Sequence, residues 1–423
     1  MRVNWFCVYN ARQTDKHISY FTGSTDKFHM RIITRTVWVL SLVSFFTDVA
    51  SEMLYPVMPL YLKEIGFSIL LIGILEGVAE ATAGLSKSYF GKLSDTSGKR
   101  LPFVRIGYLF SALSKPMMVA FIFPVWVFLA RTLDRLGKGI RTGARDALLS
   151  DEATPETKGR VFGLHRAMDT LGAVVGPLLA LLFLYAYPQH YKALFLVAFV
   201  PGLIAITFTF LLTEKGKHIA KVDFGGTSVF AFARYWNESS HSYKRLVIGL
   251  LAFALINSSD VFLLLKVKES GMNDTVVIGV YIFYNLIYAL TAYPLGRLSD
   301  RIGFKKTFLI GLALFSLVYA GMAFGTSLVH FLILFAVYGV FAAATESVAK
   351  AWITNVSHKR DTATAIGTYT GFQSIFTMMA SIIAGWFWLT YGATTVFLLS
   401  SLFTVIITLY FILGGVNEKS VTA

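Results

Sequence analysis

Cysteine is nearly absent. Cys7 is the single one in 423 residues, which excludes a disulfide framework and any multi-thiolate metal site. Charge is scarce as well: Asp, Glu, Lys and Arg make up 15% of the chain, against about 25% in soluble domains. Acids are scarcer than bases, 24 to 38. Neither the phosphate-cradling G-x-x-x-x-G-K-(S/T) loop nor the zinc-binding H-E-x-x-H spacing occurs, so a nucleotide-driven pump and a metallohydrolase both drop out. There is no soluble catalytic domain. The chain reads as a non-enzyme that needs no cofactor and no resident metal.

Apolar sequence fills the space instead. Hydrophobic residues reach 55% and the mean hydropathy is +0.63, too apolar for a soluble chain of this length. Twelve runs, each long enough to cross a hydrocarbon core of about 30 Å, fall near 36–62, 69–92, 102–122, 124–148, 159–186, 191–213, 246–267, 275–297, 305–325, 328–352, 363–389 and 392–414. The reading is an all-α integral membrane protein with a six-span half at 35–213 and another at 246–414. Residues 1–34 are polar and lack the apolar core of a secretory signal. Met30, directly before Arg31-Ile32-Ile33, is the expected native start. The polar segment 214–245, with Lys215, Lys217, Lys221, Arg234, Lys244 and Arg245, reads as a cytoplasmic linker, and 415–423 as a tail.

The cations sit in alternate loops: Lys92, Lys99, Arg100, the linker cluster, Arg297, Arg301, Lys305, Lys306, Lys359 and Arg360. The opposite loops carry few. This bias places both termini in the cytoplasm, at the inner membrane. It also explains most of the net charge of +14, so nucleic acid drops out as a partner. The bilayer, a small-molecule solute and protons remain, and the chain reads as a monomer.

A repeat organises the chain. Gly91-Lys92-Leu93-Ser94-Asp95-Thr96-Ser97-Gly98-Lys99-Arg100 returns 205 positions later as Gly296-Arg297-Leu298-Ser299-Asp300-Arg301-Ile302-Gly303-Phe304-Lys305-Lys306. The same offset relates Lys63-Glu64-Ile65-Gly66 to Lys268-Glu269-Ser270-Gly271. Two matches at one spacing indicate a duplicated half. In each loop the first Gly is expected to end a helix and the second to turn the chain. The Asp can accept hydrogen bonds from a nearby helix N-terminus, and the trailing Lys/Arg cluster would sit in water beside anionic headgroups. The plainer alternative is a tight basic loop.

This decapeptide resembles the G-x-L-(A/S)-D-(R/K)-x-G-(R/K)-(R/K) loop between helices 2 and 3 of major facilitator superfamily transporters, departing at Thr96 and, in the second copy, at Phe304. The resemblance runs from about residue 35 to 414. It implies two pseudo-symmetric bundles of six helices around a central cavity, secondary transport by alternating access, and a gating role for Gly91, Asp95, Gly98, Lys99, Arg100, Gly296, Asp300, Arg301 and Gly303.

A charge at bilayer depth costs at least about 2.5–3.5 kcal/mol unless it is paired or wet, so buried charges mark candidate sites. Span 1 carries Asp48 and Glu52 one turn apart, and span 2 repeats the device with Glu76 and Glu80. Span 4 carries Arg131, Arg135, Lys138 and Arg145 in one stripe, with Asp134 and Arg141 at its edge. The expectation is that acids of spans 1 and 2 neutralise bases of span 4 around a wet cavity. Glu76 and Glu80 equally suit a structural ion pair. Arg141, Arg145 and Asp146, and with them His165 and Arg166, also suit snorkelling to cytoplasmic water.

Arg135-Leu136-Gly137-Lys138-Gly139 resembles the R-x-x-Q-G element of helix 4, whose Arg is linked to proton coupling, with Lys138 in place of Gln. Gly172-Ala173-Val174-Val175-Gly176-Pro177 resembles the G-x-x-x-G-P element of helix 5, associated with antiporters. Its small residues also permit close helix packing.

The second half has lost most ionisable groups. By the offset, Glu52 matches Asn257, Glu80 matches Asn285, Arg135 matches Val340 and Lys138 matches Ala343. The first half is therefore assigned the ions, and the second the shape of the solute site. Its candidates are Asn257, Asp260, Tyr281, Tyr284, Asn285, Tyr288, Glu346, Trp352, Tyr369 and Gln373. The function this supports is proton-coupled efflux of a small organic compound. The alternatives are uptake or exchange of an anionic solute, metal-cation export without any His/Cys ligand cluster to support it, and a non-transporting receptor or scaffold.

Overall fold

A computed structural model describes residues 33–55, 57–67, 69–214 and 231–414, and it is helical throughout, without a strand among these residues. The expectations for Met30, Lys215, Lys217, Lys221 and the tail at 415–423 lie outside the described residues. The first half contains α1 (Arg35–Glu52), α2 (Met58–Glu64), α3 (Ile69–Ser97), α4 (Leu101–Ala120), α5 (Pro124–Asp151), α6 (Lys158–Ala186) and α7 (Tyr191–Thr209). After α8 (Ala231–Glu238), the second half contains α9 (His241–Ala254), α10 (Val261–Glu269), α11 (Asp274–Ile302), α12 (Phe304–Phe324), α13 (Leu328–Val356), α14 (Thr362–Tyr391) and α15 (Ala393–Leu413).

Seven of the elements are long and apolar enough to cross a membrane by length and composition: α6, α7, α11 to α13, α15, and α14 with the short 3₁₀ turn before it. The rest are shortened by breaks or carry charge. The most charged is α5; its Arg131, Arg141, Arg145 and Asp146 are buried, whereas Asp151 at its end is exposed.

Helix packing repeats between the halves. α5 packs on α3 and α4, and α4 on α7; likewise α13 packs on α11 and α12, and α12 on α15. The halves meet through α6 on α11 and α3 on α14, again a symmetric pair. The backbone repeats at the glycines as well. Gly66 and Gly271 have φ of 92° and 86°, and Gly98 and Gly303 have 64° and 98°, conformations an L side chain resists.

Two expectations need correction. Gly91 and Gly296 do not end their helices; both lie within them, and the turn falls at Gly98 and Gly303. Spans 1 and 7 are each broken in two, at 53–57 and at 255–260, positions related by the offset. The second break contains Asn257-Ser258-Ser259-Asp260, whose short polar side chains compete with helical hydrogen bonds; Ser381 Oγ accepts there from the Ser259 amide at 3.2 Å. Within the linker range, α8 and the start of α9 are helical. α8 packs on α3 and α14, and buried Tyr243, already inside α9, donates to the Ala365 carbonyl at 2.8 Å.

Candidate functional site

Between the halves lies a cavity of about 540 Å³, within the range of small-molecule sites. Nine Lys or Arg side chains and six carboxylates line it among the described residues. The two walls differ. The first half supplies Asp48, Glu52, Lys87, Lys115, Arg131, Asp134, Arg135, Lys138, Arg141, Arg145, Arg166 and Asp169, and the second supplies Asp260, Tyr281, Tyr284, Asn285, Tyr288, Glu346, Lys350 and Gln373.

α5 brings its basic stripe to this wall because glycines let it lie close to its neighbours. A Cβ on Gly137 would stand 2.5 Å from the Gly107 carbonyl oxygen of α4, and Gly139 faces Ser86 of α3 equally closely. Acids of α5 itself meet the stripe and its neighbours. Asp134 lies 3.1 Å from Lys115 of α4 and 3.6 Å from Arg131. Asp146, 1% exposed, pairs with Arg145 at 2.8 Å and with Lys350 of α13 at 2.9 Å. Arg141 donates to Ser111 at 2.5 Å and stacks over Tyr108. Arg141, Arg145 and Asp146 are therefore buried and bonded inside the protein rather than snorkelling to water.

Span 1 enters from the side. A Cβ at Gly172 or Gly176 of α6 would meet Asp48 or Glu52 Cβ at 2.9 and 3.0 Å, so these glycines seat α1 against α6. Asp48 lies within hydrogen-bonding reach of Asp169, and Glu52 lines the same cavity as Lys138 and Arg135. Asp169 accepts from Ser44 at 2.6 Å and from Arg166 at 2.7 Å. Arg166 also reaches across to Tyr288 and Glu346 of the second half, which corrects the snorkelling expectation for it too. His165 is buried beside it. The side chains of Glu76 and Glu80 lie outside the described residues.

On the other wall Tyr338 donates to Asp260 at 2.7 Å, and Tyr284 packs against Tyr281, Tyr288 and Tyr338. Three candidates do not reach the cavity. Trp352 is fully buried among Phe308 and Phe411, Tyr369 belongs to the same apolar core, and Asn257 stays in the helix break. Large aromatics on a polar-looking face are drawn into the core by their apolar area. The sequence pattern missed Lys115, Lys87, Ser44 and Tyr338. Lys115 carried a usable signal, since it is a charge inside the apolar run of span 3.

The loop motifs close one end of the cavity. Asp300 accepts from the Gly159 and Arg160 amides at 2.7 and 3.0 Å, capping α6 from the other half. By the same offset, Asp95 accepts from the Thr364 amide and hydroxyl at 2.7 and 2.8 Å, near the start of α14. Gly91 abuts the Ala363 carbonyl, where a Cβ would stand 2.5 Å away, and Gly296 abuts Gly159. Arg100 is buried between Asp95 and Asp151 instead of facing headgroups, whereas Lys99 and Arg301 are exposed. Lys158 donates to the Thr354 carbonyl at 2.6 Å. Repeated loops thus cap helices of the opposite half around a two-walled cavity.

The family model described as Major Facilitator Superfamily matches residues 40–285 and 246–422. The chain belongs to the major facilitator superfamily. It is a multi-pass membrane transporter of small solutes, not an enzyme. An uncharacterised MFS-type transporter of Methanocaldococcus jannaschii is 31% identical over 364 residues, covering 85% of this chain and 89% of the relative. The multidrug resistance protein MdtG of Proteus mirabilis is 26% identical over 294 residues, covering 65% and 70%. The crystal structure of the human organic anion transporter MFSD10 superposes with a TM-score of 0.73 at 16% identity, covering 90% of this chain and 99% of that one; at this identity it shows the fold.

Proposed function

We propose that the protein is a proton-coupled secondary transporter that carries a small, charged organic solute across the cytoplasmic membrane by alternating access. Twelve crossings form two six-helix bundles with both termini in the cytoplasm, and the linker at 214–245 joins them. The observation that carries the reading is the charged cavity between the halves, closed at the loop-motif end by reciprocal helix caps and glycine contacts. With those loops in the cytoplasm, this is an outward-facing arrangement, and rocking of the halves would transfer the caps' role to contacts at the other end. A single chain encloses the cavity, which supports a monomer as the transporting unit.

Asp48, Glu52 and Asp169 are the proton-handling groups. Adjacent carboxyls such as Asp48 and Asp169 relieve like-charge repulsion by sharing a proton, and the basic stripe beside them links that proton to a charged solute. A second reading, export, is favoured by the similarity to MdtG and by the Gly172–Pro177 element. Proteoliposomes holding a pH dye and challenged with pools of organic anions and lipophilic cations test the proposal. The expected result is proton movement following one pool and lost in Asp48→Asn or Arg135→Ala. Radiotracer flux without proton movement would retire the coupling, and no flux at all would retire transport in favour of a scaffold.

A further inference from the structure

A second basic site lies away from the central cavity. At the loop-motif end of α11, Tyr293, Pro294, Arg297, Leu298 and Arg301 line a groove of about 280 Å³. Ala292 and Gly296 of the same helix turn toward Gly159 and Gly163 of α6, so helical spacing puts the two arginines on a different face. Asp300, the acid of this turn, is engaged with α6. It accepts from the Gly159 and Arg160 amides at 2.7 and 3.0 Å and pairs with Arg160 at 3.2 Å. Arg297 and Arg301 are left without a carboxylate: among the described residues neither makes an ion pair or a side-chain hydrogen bond. The Arg297 Nε is buried all the same. A buried donor without an acceptor is costly, and this groove calls for an acceptor from outside the chain.

The rest of the stripe says which acceptor. Leu286, Leu290, Tyr293, Arg297 and Arg301 follow one another at steps of 4, 3, 4 and 4, which is one helical face. Leu286 and Leu290 are exposed, Tyr293 comes next, and the arginines stand last, one turn and about 6 Å apart along the axis. Apolar, aromatic, basic is the order in which a phospholipid meets a span: acyl chain, interface, phosphate. The first-half copy lacks the pair. By the offset of 205, Arg297 matches Lys92 and Arg301 matches Thr96, whose hydroxyl donates back to the Lys92 carbonyl at 2.9 Å. Duplication alone therefore does not account for the two arginines.

We propose that this groove binds the phosphate of an anionic phospholipid, with Arg297 and Arg301 holding the headgroup and Leu286 and Leu290 covering the first part of an acyl chain. Forked guanidiniums suit the oxygens of a phosphate. A soluble anion would meet the arginines alone, whereas a lipid uses the whole stripe. With the loop motifs in the cytoplasm, the lipid belongs to the cytoplasmic leaflet. The site goes beyond the transport reading and does not depend on it.

The experiment uses the purified full chain, freed of lipid in detergent. Native mass spectrometry follows its titration with phosphatidylglycerol, phosphatidylcholine and inorganic phosphate. Phosphatidylglycerol is expected to bind more tightly than phosphatidylcholine, whose ammonium opposes the arginines. Arg297→Gln and Arg301→Gln should each weaken its binding by about fivefold, and the double variant by about thirtyfold. Lys306→Gln/Lys359→Gln removes the same charge from loops on the same side and should leave it unchanged. Without lipid, Arg297→Gln should melt as the parent does, because the side chain has no partner in the chain to lose. Phosphatidylglycerol should raise the parent's melting temperature more than the double variant's.

Should the double variant fail to fold, the exposed Arg301→Gln and the parent's preference between the two lipids still decide. Equal binding of both lipids, undiminished binding in the arginine variants, or an equal loss in Lys306→Gln/Lys359→Gln would each overturn the proposal. Inorganic phosphate that displaces phosphatidylglycerol at equal concentration would overturn the lipid assignment and give the groove to a soluble phosphate.

Discussion

At the scale of single residues, the cavity shows how a membrane protein keeps charge where lipid would reject it. Asp134 is set against Lys115, Arg141 against Ser111, Asp169 against Ser44 and Asp146 against Lys350, each on a different helix. Lys115 and Asp134 are the plainest case, 3.1 Å apart between α4 and α5. Removing one member of a buried pair costs about 3–5 kcal/mol because the other stays desolvated, and Arg131 nearby moderates the loss. Lys115→Met should therefore destabilise the protein toward the lower end of that range, read as unfolding in detergent. Lys115→Met/Asp134→Leu should recover most of it. An unchanged melting curve for Lys115→Met would show that Asp134 does not depend on this partner. Lys115 was legible in the sequence by the same cost argument that found Asp48 and Arg135. Ser44 and Tyr338 were not, because hydroxyls occur in apolar helices without any comparable penalty.

At the scale of helices, the loop motif works as a cap that crosses from one half to the other. Asp300 satisfies two orphan amides at the start of α6 and also pairs with Arg160 at 3.2 Å. Losing such a cap costs about 0.5–2 kcal/mol, but only in the state that makes it. Asp300→Ala should thus shift the equilibrium between the two cavity states by about 2- to 30-fold, toward opening at the loop-motif end. Cysteine labelling of a position beside Gly159 would measure this. Equal labelling in both proteins would mean the cap does not hold the gate. Gly296→Val goes further, since its Cβ would collide with the Gly159 backbone; it should leave this end unable to close while solute binding from that side survives. The glycine spacing in the loop was visible in the sequence. That Gly91 and Gly296 serve close approach rather than helix ending depends on a partner helix far along the chain, Ala363 for Gly91 and Gly159 for Gly296, and no local pattern records that.

For the whole molecule, the buried pair of Asp146 and Lys350 links the floor of one half to the other, with Arg145 sharing the same carboxylate. Lys350→Met removes the contact between halves but leaves Asp146 its partner in its own half. The expected outcome is a protein that still folds but populates the alternative cavity state more, seen as longer distances between spin labels on Lys99 and Lys359. Distances matching those of the parent protein would show that other contacts hold this end closed. The inequality of the halves also becomes structural at this scale. The first half supplies the basic wall, the second supplies tyrosines and Asp260, and the two meet in one cavity.

The sequence by itself determined the class of the protein. Its apolar runs, alternating loop charge and the repeat at an offset of 205 follow from the bilayer's intolerance of unpaired polarity and from duplication, and both are written locally. It also put most of the charged cavity residues on the right faces, because a stripe on one helix is a local property. Tertiary structure alone decided which charges meet. Arg141, Arg145 and Asp146 are interior because Ser111, Tyr108 and Lys350 arrive from other helices. Trp352 faces the core because Phe308 and Phe411 cover it, and Tyr369 lies in the same core. Asp48 and Glu52 reach the cavity because Gly172 and Gly176 let α1 settle against α6. Pairing across a cavity depends on the crossing of helices far apart in the chain, and periodicity carries no record of that.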